Sequence, residues 1–151
     1  MDFQLNAEQE MLRRSVRDFA ENVLGPGVVD RDENEYYDPN TFKGMAALGL
    51  TGIPFEGCWG GAGMDLVAYA VAVEEVSRID PSAGDTLSTH VSLGSYPIGM
   101  FGNDEQKRKF LIPLAAGEKQ GAFALTEANA GSDALSMVTK AELVGDEWVL
   151  N

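Results

Sequence analysis

The residues best suited to chemistry in this chain lie in one short run near its end, Thr126-Glu-Ala-Asn-Ala-Gly-Ser-Asp133. Two hydroxyls, Thr126 and Ser132, and a flexible Gly131 stand among closely spaced backbone N–H groups. Such a loop can hold a phosphate or the polar edge of a ring. The same residue types also build an ordinary turn, with Asn129 and Asp133 bonding their own backbone. The residues alone leave both readings open. A second candidate is the glycine-rich run Gly52-Ile-Pro-Phe-Glu-Gly-Cys-Trp-Gly-Gly-Ala-Gly63. No strand precedes it where a dinucleotide fingerprint requires one, and the glycine spacing does not fit. It reads as a tight connection between helices.

The other reactive side chains offer less. His90 is the only histidine, set in an apolar-leaning helix, where such a residue is usually a satisfied core or surface group. Cys58 is the lone cysteine; it cannot form an internal disulfide and reads as inert. Glu74 and Glu75 read as a solvated helix face, and no metal site is expected.

Composition narrows the classes further. The formal charge is -13, from 24 acids against 11 bases, a field that repels a nucleic-acid backbone. Hydrophobic residues make up 44% of the 151 positions, enough for one domain with its own core. No run approaches the ~18 apolar residues of a membrane span. The opening Met1-Asp-Phe-Gln-Leu-Asn-Ala-Glu8 has neither a basic, apolar leader nor an Arg-rich transit pattern. With a single cysteine, this points to a cytoplasmic protein.

The elements that must position these residues are mostly helical. Asn6 with Gln9 forms a capping box, and Leu12, Val16, Phe19, Ala20 and Val23 follow at helical spacing until Gly25-Pro26. The acidic stretch Asp30–Asp38 reads as a solvated connection. Asp38-Pro39 opens a second helix, with Phe42, Met45, Ala46 and Leu48 inward and Gly49 at its end. Asp65 caps a third, with Leu66, Tyr69, Ala70, Val73 and Val76 inward. A fourth runs from about Ser82 to Leu93 and is broken by Pro97. Asn103 and Gln106 open a fifth, with Phe110, Leu111 and Leu114 inward, closed by Gly117. The period then shortens. Gly121–Thr126 reads as a strand and Glu127–Asp133 as a loop. Residues 137–144 alternate, Gly145-Asp146 fits a two-residue turn, and Glu147–Asn151 resumes as a strand. The expected fold class is α+β: an all-α bundle over 1–119, then the first strands of an antiparallel β-domain over 120–151, truncated.

These residues together resemble the acyl-CoA dehydrogenase family. Ala124-Leu-Thr-Glu-Ala-Asn-Ala-Gly-Ser-Asp133 is similar to the signature that opens the family's middle β-domain. Phe101-Gly-Asn-Asp-Glu-Gln-Lys-Arg-Lys-Phe110 resembles its last N-terminal helix. Pro54, Gly60, Gly61 and Gly63 resemble its early glycine loop, and Gly145-Asp-Glu-Trp-Val-Leu-Asn151 its second hairpin. Ala128 departs from the family, which usually has proline there.

The resemblance implies an FAD-dependent enzyme that desaturates an acyl-CoA thioester between its α and β carbons and passes electrons to an electron-transferring flavoprotein. It implies that Phe123, Ala124, Leu125, Thr126, Gly131 and Ser132 line the FAD. The Leu125 backbone and Thr126 hydroxyl would face the ring, with Gly131 and Ser132 toward the pyrophosphate. Ser132 would also meet the CoA portion, with Thr89 and Leu93 at the floor of the acyl pocket. Glu127 and Asp133 would hold the loop. The base that takes the α proton is expected outside these residues, so no catalytic residue is assigned here. The acidic balance requires that any cationic clamp for the phosphates be local or lie elsewhere. A homo-oligomer is expected. An acyl-CoA oxidase-like or enoyl-CoA-reducing relative, or a non-catalytic binding or scaffold protein on the same fold, is the alternative.

Overall fold

The computed structural model describes residues 4–151; the reading of the extreme N-terminus falls partly on Met1–Phe3, outside the described residues. Helix α1 (Ala7–Phe19) begins as expected. The Asn6 side chain accepts from the Gln9 N–H and the Gln9 side chain accepts from the Asn6 N–H, closing the capping box. The Gln9 amide also donates to both oxygens of Asp65, 2.9 and 3.1 Å away. Asp65 is the N-cap of α4 (Leu66–Ser77), so the starts of two helices are tied together. Between them come α2 (Val28–Glu33) and α3 (Pro39–Ala47), the latter capped by Asp38 with Pro39 in its first turn. Gly49 takes a left-handed φ of 72° and ends that helical run, a conformation that a side chain would strain.

Proline does not stop these helices. Gly25-Pro26 and Pro97 were expected to end their segments, yet the chain stays helical through both. Each is preceded by a π-helical stretch, Ala20–Leu24 and Thr89–Ser95, and Pro113 follows a third, Lys107–Leu111. A proline ring clashes with the carbonyl four residues back. Those carbonyls belong to Asn22, Leu93 and Lys109, all inside the widened turns. Widening moves the carbonyl aside and lets the helix run on. Thus α5 (Pro81–Ser88) continues through Thr89–Ser95 into α6 (Tyr96–Phe101). Likewise α7 (Asp104–Gln106), behind its Asn103–Gln106 capping box, continues through Lys107–Leu111 into α8 (Ile112–Ala115).

The core lies where α1, α3, α4 and α5 meet, with Val16, Met45, Ala72 and Leu87 fully buried. Several expected faces turn out differently. Val23 is exposed and Leu24 buried, because the π turn rotates the helix face. Part of the expected acidic connection is α2, where Arg31 pairs with Asp80 at 2.8 Å. Leu48 and Phe110 are exposed. On α4, Leu66 and Ala70 face outward while Ala68, Val71, Ala72 and Val76 face inward. That helix is apolar nearly all round, so its sequence marks no single stripe. Glu75, expected in solvent, is only 3% exposed. Arg17 donates to both of its oxygens, at 2.6 and 2.9 Å. That hydrogen bonding holds the Glu75 carboxyl below its ordinary range.

The glycine run is a tight connection, as read. A side chain on Gly61 would strike the Phe55 carbonyl oxygen. Gly121–Thr126, expected as a strand, pairs with no strand among the described residues; its first N–H is taken by a side chain instead. Strand β1 spans Ala141–Val144, shorter than the expected 137–144. It pairs antiparallel with β2 (Glu147–Leu150) across the Gly145-Asp146 turn, Val144 opposite Glu147. The chain is α+β, a helical body followed by a two-stranded antiparallel sheet. No helix among the described residues is long and apolar enough to cross a membrane.

Candidate functional site

The loop from Phe123 to Ser132 leaves the helical body just after Gly121. Glu127 fixes its shape. Its N–H and carbonyl exchange hydrogen bonds with Ala130, at 3.0 and 3.2 Å. Its carboxylate accepts from the Val138 and Thr139 N–H groups at 2.9 and 3.2 Å. Those backbone donors hold the carboxyl below its ordinary range. Asp133 accepts from the Ser136 hydroxyl at the start of the next turn. Ala130 is the buried residue of the loop. Both acids therefore tie the loop to the residues that follow it.

What the loop presents outward is different. Phe123 is 50% and Leu125 43% exposed. Thr126, Gly131 and Ser132 are exposed as well. Among the described residues, no backbone N–H of Phe123–Thr126 or Gly131–Asp133 donates to another group of the chain. Nothing lies within 4 Å of where a Gly131 side chain would begin. An apolar surface edged by a row of unused donors fits a flat ring with polar edges and an attached anionic phosphate. The residues present therefore suit a dinucleotide such as a flavin.

Thr89 and Leu93 lie on the π-helical stretch that links α5 to α6. The Thr89 hydroxyl donates to the Asp85 carbonyl at 2.8 Å, and Leu93 is exposed. In this wider turn four residues fall just short of one revolution, so the two share a side. The next residue, Gly94, touches the backbone of Gly121, so this stretch and the root of the loop are neighbours. Ser132 makes no hydrogen bond to Thr89 or Leu93 among the described residues. A cleft of about 560 Å³ lies elsewhere, lined by Val28, Tyr36, Tyr37 and Thr86 beside the Arg31–Asp80 pair. It takes Pro81, Ser82, Ala83 and Thr86 from α5 and includes no residue of the loop.

His90 is where the sequence was least informative. It is fully buried, with Nδ1 2.9 Å from the Gly121 nitrogen and Nε2 3.1 Å from the Leu114 carbonyl oxygen. Phe42 meets the ring edge-on at 5.0 Å. A backbone N–H can only donate and a carbonyl can only accept, so Nδ1 is the bare nitrogen and Nε2 carries the proton. Burial pushes its pKa below the ordinary value. Only the fold brings together residues 24 and 31 positions apart.

A family model described as acyl-CoA dehydrogenase, N-terminal domain, matches residues 6–118. The chain belongs to the acyl-CoA dehydrogenase family. The short-chain-specific acyl-CoA dehydrogenase of Clostridium acetobutylicum is 47% identical over 151 residues, which cover all of this chain and 40% of that protein. The structure of butyryl-CoA dehydrogenase from Megasphaera elsdenii superposes with a TM-score of 0.94 at 42% identity, over 100% of this chain and 40% of that one. An acyl-CoA dehydrogenase complexed with FAD from Bacillus anthracis does so at 0.88 and 37% identity, over 98% and 26%. The chain thus spans well under half the length of these acyl-CoA dehydrogenases.

Proposed function

We propose that these residues form one wall of an FAD-dependent acyl-CoA dehydrogenase that introduces a double bond between the α and β carbons of an acyl-CoA thioester. The observation that carries the reading is the row of unused N–H donors at Phe123–Thr126 and Gly131–Asp133, beside exposed Phe123 and Leu125. When bound, FAD supplies the hydride acceptor. The Leu125 N–H and the Thr126 hydroxyl face the ring's polar edge and stabilise negative charge there, in place before the reaction begins. Gly131 and Ser132 meet the pyrophosphate through backbone donors, which suits a chain too acidic to offer many cations. Ser132 also contacts the CoA portion. Thr89 and Leu93 floor the acyl pocket. The α proton goes to a carboxylate outside this chain.

The helical domain ends near residue 119, where Gly117 turns the chain out of α8 with a φ of 71°. The enzyme works as a homo-oligomer in the cytoplasm and passes electrons to an electron-transferring flavoprotein. The test is to express the full-length gene product, load it with FAD and add butyryl-CoA without oxygen. The flavin absorbance should bleach. A protein that binds no flavin, or whose flavin stays oxidised with every acyl-CoA, would overturn the reading.

A further inference from the structure

The π-helical stretch Thr89–Ser95 carries two features on one side and two on the next. Thr89 and Leu93 stand on the side assigned to the acyl chain. Their immediate neighbours, His90 and Gly94, meet the segment that leads into the loop. His90 accepts the Gly121 N–H at Nδ1 and donates from Nε2 to the Leu114 carbonyl. One buried ring thereby ties the end of α8 to the residue two positions before Phe123. Gly94 allows the contact to be close. A methyl group there would lie 2.9 Å from both the Cα and the carbonyl carbon of Gly121.

From this geometry we propose that His90 and Gly94 form a clasp that sets the position of the loop's root relative to the acyl-pocket floor. His90 is then a positioning residue, acting through Gly121 rather than on substrate. The proposal rests on the functional reading above for what the loop holds, but the clasp can be tested without it. A side chain that bridges two backbone segments ties Gly121 to the helical body, where no strand among the described residues pairs with Gly121–Thr126. Gly121 and His90 are separated by 31 positions, so the bridge is a tertiary restraint rather than a local turn. The distance between flavin edge and acyl floor matters because small displacements of reacting groups have large effects on rate.

The experiment compares His90→Leu, His90→Asn and Gly94→Ala in the full-length gene product. Exchange of the Gly121 amide hydrogen is measured without flavin. The absorption envelope and midpoint potential of bound FAD are then measured on the same variants. His90→Leu removes both bonds, while the shorter side chain of His90→Asn keeps an acceptor at the Nδ1 position for Gly121 and gives up the bond to Leu114. Gly94→Ala forces the backbones apart without touching a buried polar group. Exchange of the Gly121 amide, the one His90 accepts, should rise about tenfold in His90→Leu and Gly94→Ala, with α1 and α4 unchanged. His90→Asn should recover most of the protection, and the flavin envelope and potential should shift in the first two variants only. The proposal is overturned if His90→Leu leaves exchange of the Gly121 amide unchanged, or speeds α1 and α4 by the same factor. Failure of the wild-type protein to bind flavin would overturn the functional reading alone, because the exchange measurement needs none.

Discussion

The helical body and the segment from Gly121 onward both carry many apolar side chains, yet only the first buries them. In the body, Val16, Met45, Leu87 and Leu111 lose nearly all contact with water, and polar groups among them are paired, as Glu75 is with Arg17. In the second segment, Leu135, Trp148 and Leu150 are exposed, and every residue of both strands is open to solvent. Order there comes from local polar bonds: Glu127 to Val138 and Thr139, and the β1–β2 ladder. A region that organises its backbone while leaving apolar surface and N–H donors unused is suited to meeting something else. The difference is that the body uses its apolar surface within the described residues and the segment from Gly121 onward does not.

Four tests sharpen or break that comparison. The largest effect should come from Leu87→Ala, which opens a cavity in the body and costs about 2–5 kcal/mol in urea denaturation. Leu150→Ala on the hairpin should change stability by no more than about 0.5 kcal/mol. Equal losses at the two sites would erase the distinction.

Next in size is a pH effect from His90. Its folded-state pKa is lowered by burial, so the unfolded chain takes up the proton first as pH falls. The stability it contributes is complete above about pH 6.5 and is lost as pH falls from there through the lower folded value, by at most about 1.4 kcal/mol per unit. Thermal melts between pH 8 and about 5.5 should show this slope, and His90→Asn should flatten it. A slope of the same size in the variant would mean that other groups cause it.

Leu93→Ala comes third and reads the acyl floor. Each methylene seated in an apolar pocket gains about 0.8 kcal/mol. The kcat/KM optimum of the full-length gene product should move toward longer acyl chains by a few-fold per carbon, and Thr89→Trp should move it back. Overlaying chain-length profiles would remove Thr89 and Leu93 from the pocket. The smallest effect is Glu127→Gln, confined to the loop. The Glu127 carboxyl is held below its ordinary value by the Val138 and Thr139 donors. In the parent, protection of those two amides should therefore hold above about pH 4.3 and disappear as pH falls through the lower folded value. In Glu127→Gln both amides should exchange faster at neutral pH, while the melting temperature of the body stays where it was. A drop in that temperature would show that the loop is part of the core.

The two regions were unequally legible in the sequence. Four helix starts were plain, because Asn6, Asp38, Asp65 and Asn103 are capping residues that act within three positions of themselves. The glycine connection, the Glu127–Asp133 loop and the Gly145-Asp146 turn were readable for the same local reason. What could not be read depends on distant partners. Glu75 is buried because Arg17 reaches it from another helix, and His90 is held by residues that only the fold brings near. Pro97 signals a break by propensity, and the widened turn that accommodates it has no sequence mark of its own. Gly121–Thr126 has strand composition, but a strand also needs a partner, which composition does not supply.

The central claim is that the outward edge of the loop faces a flavin, and Thr126→Val in the full-length gene product tests it most directly. The measurement is the midpoint potential of the bound FAD. A hydrogen bond to a charged group is worth about 1.5–3 kcal/mol, and for a two-electron couple 1.4 kcal/mol corresponds to about 30 mV. Loss of the hydroxyl should make the potential about 30–65 mV more negative, because the charge it stabilises belongs to the reduced state. A potential and an FAD affinity both equal to those of the parent would contradict the account, and the loop would have to be assigned another role.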